Sequence, residues 1–410
     1  MSNFIFSQAK NLQKEMTENR RFLHAHAEVG FEVGQTKAFI KSKLEEMGYA
    51  PKDCGRAGLV ARIGKGDKKN DLLLRADVDA LPIREKTGVA YACKTGNMHA
   101  CGHDMHAAML LGAAKLLKEN EKRLRGGVRL LFQPAEEILE GANDCIQAGV
   151  LEGVGGAAMI HVMTDTPLPT GTLIVPSSGV GAPAADYFTI EVEGKACHGS
   201  APQNGVDALG VAAYILLALQ EIPARENPAS VPAVLTVGTL SGGNAGNAIA
   251  DYAKMQGTLR AFDEGVRENM KKRLDKIARF VAKSFRAKAK ISFQGGCPTL
   301  LNDRGMSAFT EEKLKKALGK NEVFSVADLG GGVTQKSGGS EDFAYISQKT
   351  PSIMLALAAG ETEKGYRYPL HHPKANFDES ALYKGAGTLA LLALAWGDGA
   401  GKAGFKKITP

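Results

Sequence analysis

Residues 72–142 contain three consecutive patterns: LLLRADVDALPI (72–83), NMHACGHDMHAAMLLGAAKLL (97–117) and VRLLFQPAEEILEGA (128–142). The first and third open on short apolar runs, Leu72–Arg75 and Val128–Phe132, of the length of buried strands. Between them Ala107–Asn120 has the length and Ala/Leu content of a helix, and a further strand follows at Ala157–Val162. Strand, helix and strand in alternation predict an α/β layer around a largely parallel sheet. Each of these strands runs into polar residues: Asp77 and Asp79, then Glu136 and Glu137, then His161. Ligands of open α/β sheets collect at the carboxyl ends of strands, so three polar endings predict one site.

His99, Cys101, His103, Asp104 and His106 all fall just before or at the start of the predicted helix. A thiolate and an imidazole two residues apart can ligate from one turn, and the mixed set suits a transition metal such as Zn²⁺. In extended backbone Glu136 and Glu137 would point to opposite sides, one towards a metal and the other towards a water beside it. Metal-assisted hydrolysis needs that division between an oxygen ligand and a base. Asp77 and Asp79 are expected to hydrogen-bond a ligating imidazole, and His161 to ligate from its strand end. HExxH, GxxxxGK[ST] and GxSxG are absent, and no complete GxGxxG follows a strand, which removes zincin, phosphate-cradling and serine-hydrolase readings.

The pattern changes near residue 184. Strands are expected at Tyr187–Glu193, Ala233–Thr239, Ala253–Ala261 and Ala289–Phe293, with helices at Gly205–Glu221 and Glu264–Arg286. That β-α-β-β-α-β order is the plan of a small ferredoxin-like domain. At 410 residues the chain exceeds what one core usually sustains. The expected organisation is therefore a discontinuous catalytic domain, 1–183 and 297–410, with 184–296 inserted.

Hydrophobic residues make up 44% and charged residues 23%, which excludes disorder, collagen and coiled coil. The net charge of +7 is spread thinly, with no patch or motif of a nucleic-acid binder. The longest apolar runs, Gly210–Leu219 and Gly385–Trp396, fall short of the roughly 20 residues of a membrane span. The N-terminus has no apolar core or cleavage site of an export signal, and the six cysteines show no CxxC pair or disulfide spacing. A reducing, cytoplasmic setting is expected.

These motifs resemble the amidohydrolase branch of the aminoacylase and carboxypeptidase-G type metallopeptidase superfamily, which includes hippurate hydrolases, N-acyl-amino-acid deacylases and indoleacetyl-amino-acid hydrolases. RRFLHAHAEVGFE (20–32), LLLRADVDALPI, MHACGHDMH, LLFQPAEE and MIHV are followed in order by GTLSGGNAGNAIAD (238–251), GTLRAF (257–262), GGSEDFA (338–344) and LHHPKANFDE (370–379). The resemblance implies a large mixed-sheet domain of zinc-exopeptidase type carrying a smaller lid and dimerisation domain. It implies two divalent ions per subunit, Zn²⁺ foremost with Mn²⁺, Co²⁺ or Ni²⁺ as options, held by Cys101 as the bridge and by His103, Glu137, His161 and His371. His372 occupies a variable position and is left out.

By the same resemblance Glu136 is the general base and later acid, and His198 in ACHGSAP stabilises the oxyanion, in the partner subunit's site. Asn247 and Arg260 hold the substrate carboxylate. The implied enzyme is a homodimer, or a dimer of dimers, that hydrolyses the amide bond of an N-acyl-amino acid (acetyl, benzoyl or similar). Alternatives are a dipeptidase or carboxypeptidase of the same architecture, an endocyclic amidase, and a relative that keeps the fold without chemistry. The last would be expected to lack a ligand or the base, and none is missing. Four departures from the family pattern bear on substrate choice: HAEV in place of HPEL, NAIAD without the usual proline, Cys197 beside His198, and Ile138 and Leu139 where glycine is common.

Overall fold

The computed structural model describes residues 2–65, 70–326, 328 and 339–396. The chain divides into two compact units: one runs to Gly181 and resumes at Leu301, and the other spans Ala182–Leu300 and takes in Ser340.

The first unit is built on an eight-stranded sheet. At its centre strand β1 (Asp71–Asp77) lies parallel to β2 (Val128–Gln133) on one side and to β3 (Val154–Met163) on the other. The strand Ser352–Ala358 continues the parallel run beyond β3. Towards the edges the pairing turns antiparallel, at Gly58–Ile63 against β2 and at Leu173–Val175 against Ser352–Ala358. The sheet is therefore mixed overall and parallel where the polar endings occur. Every residue of β1 is buried, as a strand covered on both faces must be. Because β1, β2 and β3 run the same way, Asp77, Glu136 and His161 come to one edge of the sheet.

Helix α1 (His103–Glu119) packs in this unit's core with nearly all its residues buried. It begins four residues earlier than its apolar pattern predicts, inside the histidine cluster. At the N-terminus, where the sequence pattern suggests one helix from Ser7 to Ala27, two occur, Ser2–Asn11 and Gln13–Ala25.

The second unit carries four antiparallel strands, β4 (Ala184–Glu193), β5 (Ala233–Gly242), β6 (Tyr252–Ala261) and β7 (Lys288–Cys297), in the spatial order β5-β6-β4-β7. Two helices complete the ferredoxin-like plan. Helix α2 (Ala208–Leu219) is capped by the Asp207 carboxylate, and α3 (Glu264–Ser284) by that of Asp263. Val266, Met270, Leu274, Ala278 and Ala282 recur every fourth residue on α3 and face the core. Among the described residues one helical run, Ala208–Glu226, is long and apolar enough to cross a membrane. Its Val211, Ala212, Ile215 and Leu219 are buried in the unit's own core.

Candidate metal centre

Cys101, Gly102 and His103 form the tight turn that starts α1. Gly102 adopts φ 83°, and a Cβ there would lie 2.4 Å from a Val162 methyl, so only glycine fits. The turn brings the Cys101 thiol and the His103 ring to the same side. His103 Nδ1 donates to the Asp79 carbonyl at 2.8 Å, which leaves the Nε2 lone pair aimed into the site. His161 does the same from the end of β3, its Nδ1 donating to the Val162 carbonyl at 2.8 Å. The free Nε2 of His161 stands 3.6 Å from Cys101 Sγ. His371 arrives from the far end of the chain. Its backbone N–H donates to the Ala100 carbonyl at 3.0 Å, and its Nε2 lies 3.3 Å from Cys101 Sγ and 3.6 Å from Glu137 Oε1. His103 Nε2 is in turn 3.9 Å from Glu137 Oε1.

These atoms form two interlocking groups that could each hold a cation, Cys101–His103–His161 and Cys101–Glu137–His371, with the thiol common to both. His103 Nε2 and Glu137 Oε1 are buried without any hydrogen-bond partner. Buried polar atoms rarely go unpaired, and these two point at the same place as the thiol. Burial pushes the Cys101 thiol up to about 12 and the His161 ring down to about 4. A thiol so placed would be neutral on its own, whereas a neutral imidazole and a thiolate are the forms that ligate a soft divalent ion. The donor set fits such an ion.

Glu136 and Glu137 do not sit in extended backbone as the sequence suggests. They occupy a turn after β2, entered through Ala135 at φ 59° and closed by the Leu139 N–H donating to the Glu136 carbonyl at 2.7 Å. The Asp79 carboxylate holds this turn, accepting from the Glu136 N–H at 3.0 Å and the Glu137 N–H at 3.2 Å. The two side chains still take different surroundings. Glu137 faces the thiol group, while Glu136 leans towards Glu341 and Asp342, its Oε1 accepting from the Asp342 N–H at 3.4 Å. Burial and then the Glu341, Asp342 and Glu137 carboxylates hold Glu136 well above the usual carboxylate range. Burial lifts Glu137 to about 7.

One guanidinium serves this crowd of carboxylates. Arg75 is fully buried, with Nη1 donating to Asp77 at 2.8 Å, Nη2 to Asp342 at 2.6 Å and Nε to Gln133 at 3.0 Å, and Glu341 lies 3.1 Å from Nη2. Asp77 in turn accepts from His106 Nδ1 at 2.5 Å. His106 Nε2 accepts from the Val162 N–H at 2.9 Å, so both ring nitrogens are occupied and His106 braces the site rather than ligating. Asp104 turns away, accepting from Arg20 and His24 at 2.8 Å each. His99 is buried beside that network, and burial pulls its ring down to about 3. His372 stacks on Tyr368, away from the thiol group.

Arg75, Glu341 and Asp342 are the residues that reading the sequence passes over. The signal was present as an arginine inside a buried strand and as two acids in GGSEDFA, but neither spacing points to the other. His198, Asn247 and Arg260 belong to the second unit. His198 lies on a short ladder whose partner strand starts just after Asn247, and Arg260 Nη1 donates to Ser340 Oγ at 2.8 Å.

The family model for peptidase family M20/M25/M40 matches residues 73–395. A Bacillus subtilis protein named N-acetyl-L-cysteine deacetylase is 38% identical over 375 residues, covering 91% of this chain and 86% of that protein. A solved structure from methicillin resistant Staphylococcus aureus superposes with a TM-score of 0.88 at 30% identity, over 97% of this chain and all of that one. A Bacillus subtilis structure described as a dinuclear metal binding peptidase of the M20 family gives 0.76 at 31% identity, over 94% and 98% of the two chains.

Proposed function

The chain is a hydrolase of peptidase family M20/M25/M40, and from that premise we propose that it is a two-metal amidohydrolase that cleaves N-acyl-amino acids into a carboxylic acid and a free amino acid. One observation carries the reading: Cys101 Sγ stands within 3.6 Å of two imidazole nitrogens, with Glu137 Oε1 and His103 Nε2 buried and unpaired beside it. The relative named N-acetyl-L-cysteine deacetylase supports the substrate class.

Cys101, His103, Glu137, His161 and His371 hold the ions. Thiolate and imidazole donors favour Zn²⁺, with Mn²⁺, Co²⁺ and Ni²⁺ as alternatives for the same set. A pair of divalent cations supplies Lewis acidity to the amide carbonyl and acidifies water. Glu136 removes the proton of the attacking water and returns it to the leaving amine, the exchange that its raised proton affinity allows. His198 of the second unit, in the partner subunit's site, stabilises the developing oxyanion, and Asn247 and Arg260 take the substrate carboxylate, which a guanidinium binds through two parallel hydrogen bonds. That unit is also the surface by which two copies pair. Edge strand β5 is largely exposed, and so are Val234 on it and Leu209 and Leu217 on α2. Cys54, Cys93, Cys101, Cys145 and Cys197 are all free thiols, which suits the cytoplasm.

The test is a panel of N-acetyl- and N-benzoyl-amino acids set against dipeptides, each assayed after loading with each divalent ion. Amino acid should be released faster from the acyl substrates, with N-acetylcysteine included among them. Preference for dipeptides would move the protein to the carboxypeptidase reading. Cys101→Ala should weaken metal binding by more than about 100-fold, beyond the loss expected of an outer partner. Metal analysis of that variant after dialysis checks it, and a full complement would remove the bridging assignment.

A further inference from the structure

His198 is placed by a turn that several hydrogen bonds hold. The Gly199 N–H donates to the Asn247 carbonyl at 2.7 Å, and the Ala201 N–H to the His198 carbonyl at 2.9 Å. The Cys197 thiol donates to the Ala201 carbonyl at 3.4 Å. A Cβ on Gly199 would come within 2.7 Å of the Asn247 carbonyl oxygen, so the backbone can only close here on glycine. With the turn fixed in this way, Ser200 folds back on the ring two residues before it. Its backbone N–H donates to His198 Nδ1 at 3.1 Å, and its hydroxyl lies 2.7 Å from the same nitrogen.

A backbone N–H has no lone pair and can only donate. Nδ1 must therefore present its lone pair to Ser200, and the neutral ring carries its proton on Nε2. The ring is exposed, and Nε2 has no hydrogen bond among the described residues. A histidine that is to donate to an oxyanion needs this tautomer, since the other would present a lone pair to negative charge.

We propose that Ser200 is a positioning residue that locks His198 in the Nε2–H tautomer, holding a donor ready for the tetrahedral oxyanion. The proposal rests on the oxyanion role given to His198 above, and the experiment separates the two. The full-length, metal-loaded protein is labelled with ¹⁵N-histidine, and the His198 resonances are assigned by their loss in His198→Gln. Long-range proton–nitrogen correlation then reads the tautomer directly. Nε2 is expected to be protonated and Nδ1 bare, and a protonated Nδ1 in the neutral ring overturns the proposal.

Ser200→Ala keeps the backbone donor and loses the hydroxyl. Its kcat on an N-acyl-amino acid should fall roughly threefold to tenfold, the loss of one hydrogen bond. KM, metal content and melting temperature should hold, the preference for the Nε2–H tautomer should weaken without being lost because the backbone donor remains, and Ser200→Thr should restore kcat. Unchanged kcat and tautomer in Ser200→Ala, with kcat lost in His198→Gln, overturn the Ser200 assignment alone. Full activity in His198→Gln overturns the oxyanion role, whatever the tautomer.

Discussion

Glu136→Gln is expected to lower kcat on an N-acyl-amino acid by about 10²–10⁴-fold, the usual contribution of a positioned general base, while both metal ions remain bound. The expectation follows from how the Glu-Glu turn divides its two carboxylates. Glu137 shares the ligand group with Cys101 and His371, so its loss should cost metal. Glu136 approaches that group at His103 Nε2, 3.9 Å away, and at the Glu137 carboxylate, within 4.8 Å, and on its other side faces Glu341 and Asp342. Glutamine keeps the volume and the acceptor for the Asp342 N–H, so the turn should survive. What it loses is the ability to take a proton and give it back. Steady-state kinetics beside metal analysis checks the division. Ordinary kcat in Glu136→Gln would remove the base assignment, and loss of metal would make Glu136 a ligand instead.

That division was legible in the sequence as chemistry but not as geometry. Two acids after a buried strand and a proline predict one base and one ligand, and the structure gives them different surroundings, though not through the alternation of an extended strand. A turn held at both N–H groups by Asp79 separates them. Asp79 lies 57 positions before Glu136 along the chain, a distance that no local pattern spans. The clustering of the proposed ligands was more accessible, because Cys101, His103, Glu137 and His161 all lie at or beside the start of a helix or the ends of parallel strands. Their convergence follows once the sheet is drawn. His371 is different in kind: it lies on a loop at φ 65°, and only the resemblance, not periodicity, brings it back to Cys101. The ferredoxin-like unit could be read from element order because its strands and helices follow the β-α-β-β-α-β plan, and α3 repeats an apolar residue at every fourth position. Arg75 stayed hidden for the opposite reason. A charged residue inside an apolar strand is seen as a gap in the pattern, and its partners, Glu341 and Asp342, come more than 260 residues later.

Removing that arginine should produce the largest loss of stability of any single change at the site. Arg75→Met is expected to destabilise the metal-free protein by about 3–5 kcal/mol, the range for breaking a buried ion pair from one side. The methionine stem fills the space beside Met159, so the loss is electrostatic rather than one of volume. Asp77, Glu341 and Asp342 would then share a buried pocket without the guanidinium. Asp77 would keep a positive neighbour in the His103 ring, whose proton affinity that carboxylate raises against the effect of burial, while Glu341 and Asp342 would lose their ion-pair partner. Burial already raises Asp342 to about 8 with the guanidinium present. Without it the cheaper course is protonation, which weakens the acceptor that holds the Gln133 amide at 2.8 Å and the Ala142 N–H at 2.8 Å. Those contacts fix the helix that follows the glutamate turn, so the defect should spread towards Glu136. Arg75→Lys keeps the charge but not the fork that reaches Asp77 and Asp342 together, and should recover only part of the loss. Urea unfolding of the metal-free and metal-loaded variants measures both effects. Bound divalent ions supply positive charge to the same cluster, so the penalty should shrink when the site is loaded. Equal stability of Arg75→Met and the parent without metal would show that the carboxylates do not need this cation, and the electrostatic account of the site would have to be abandoned.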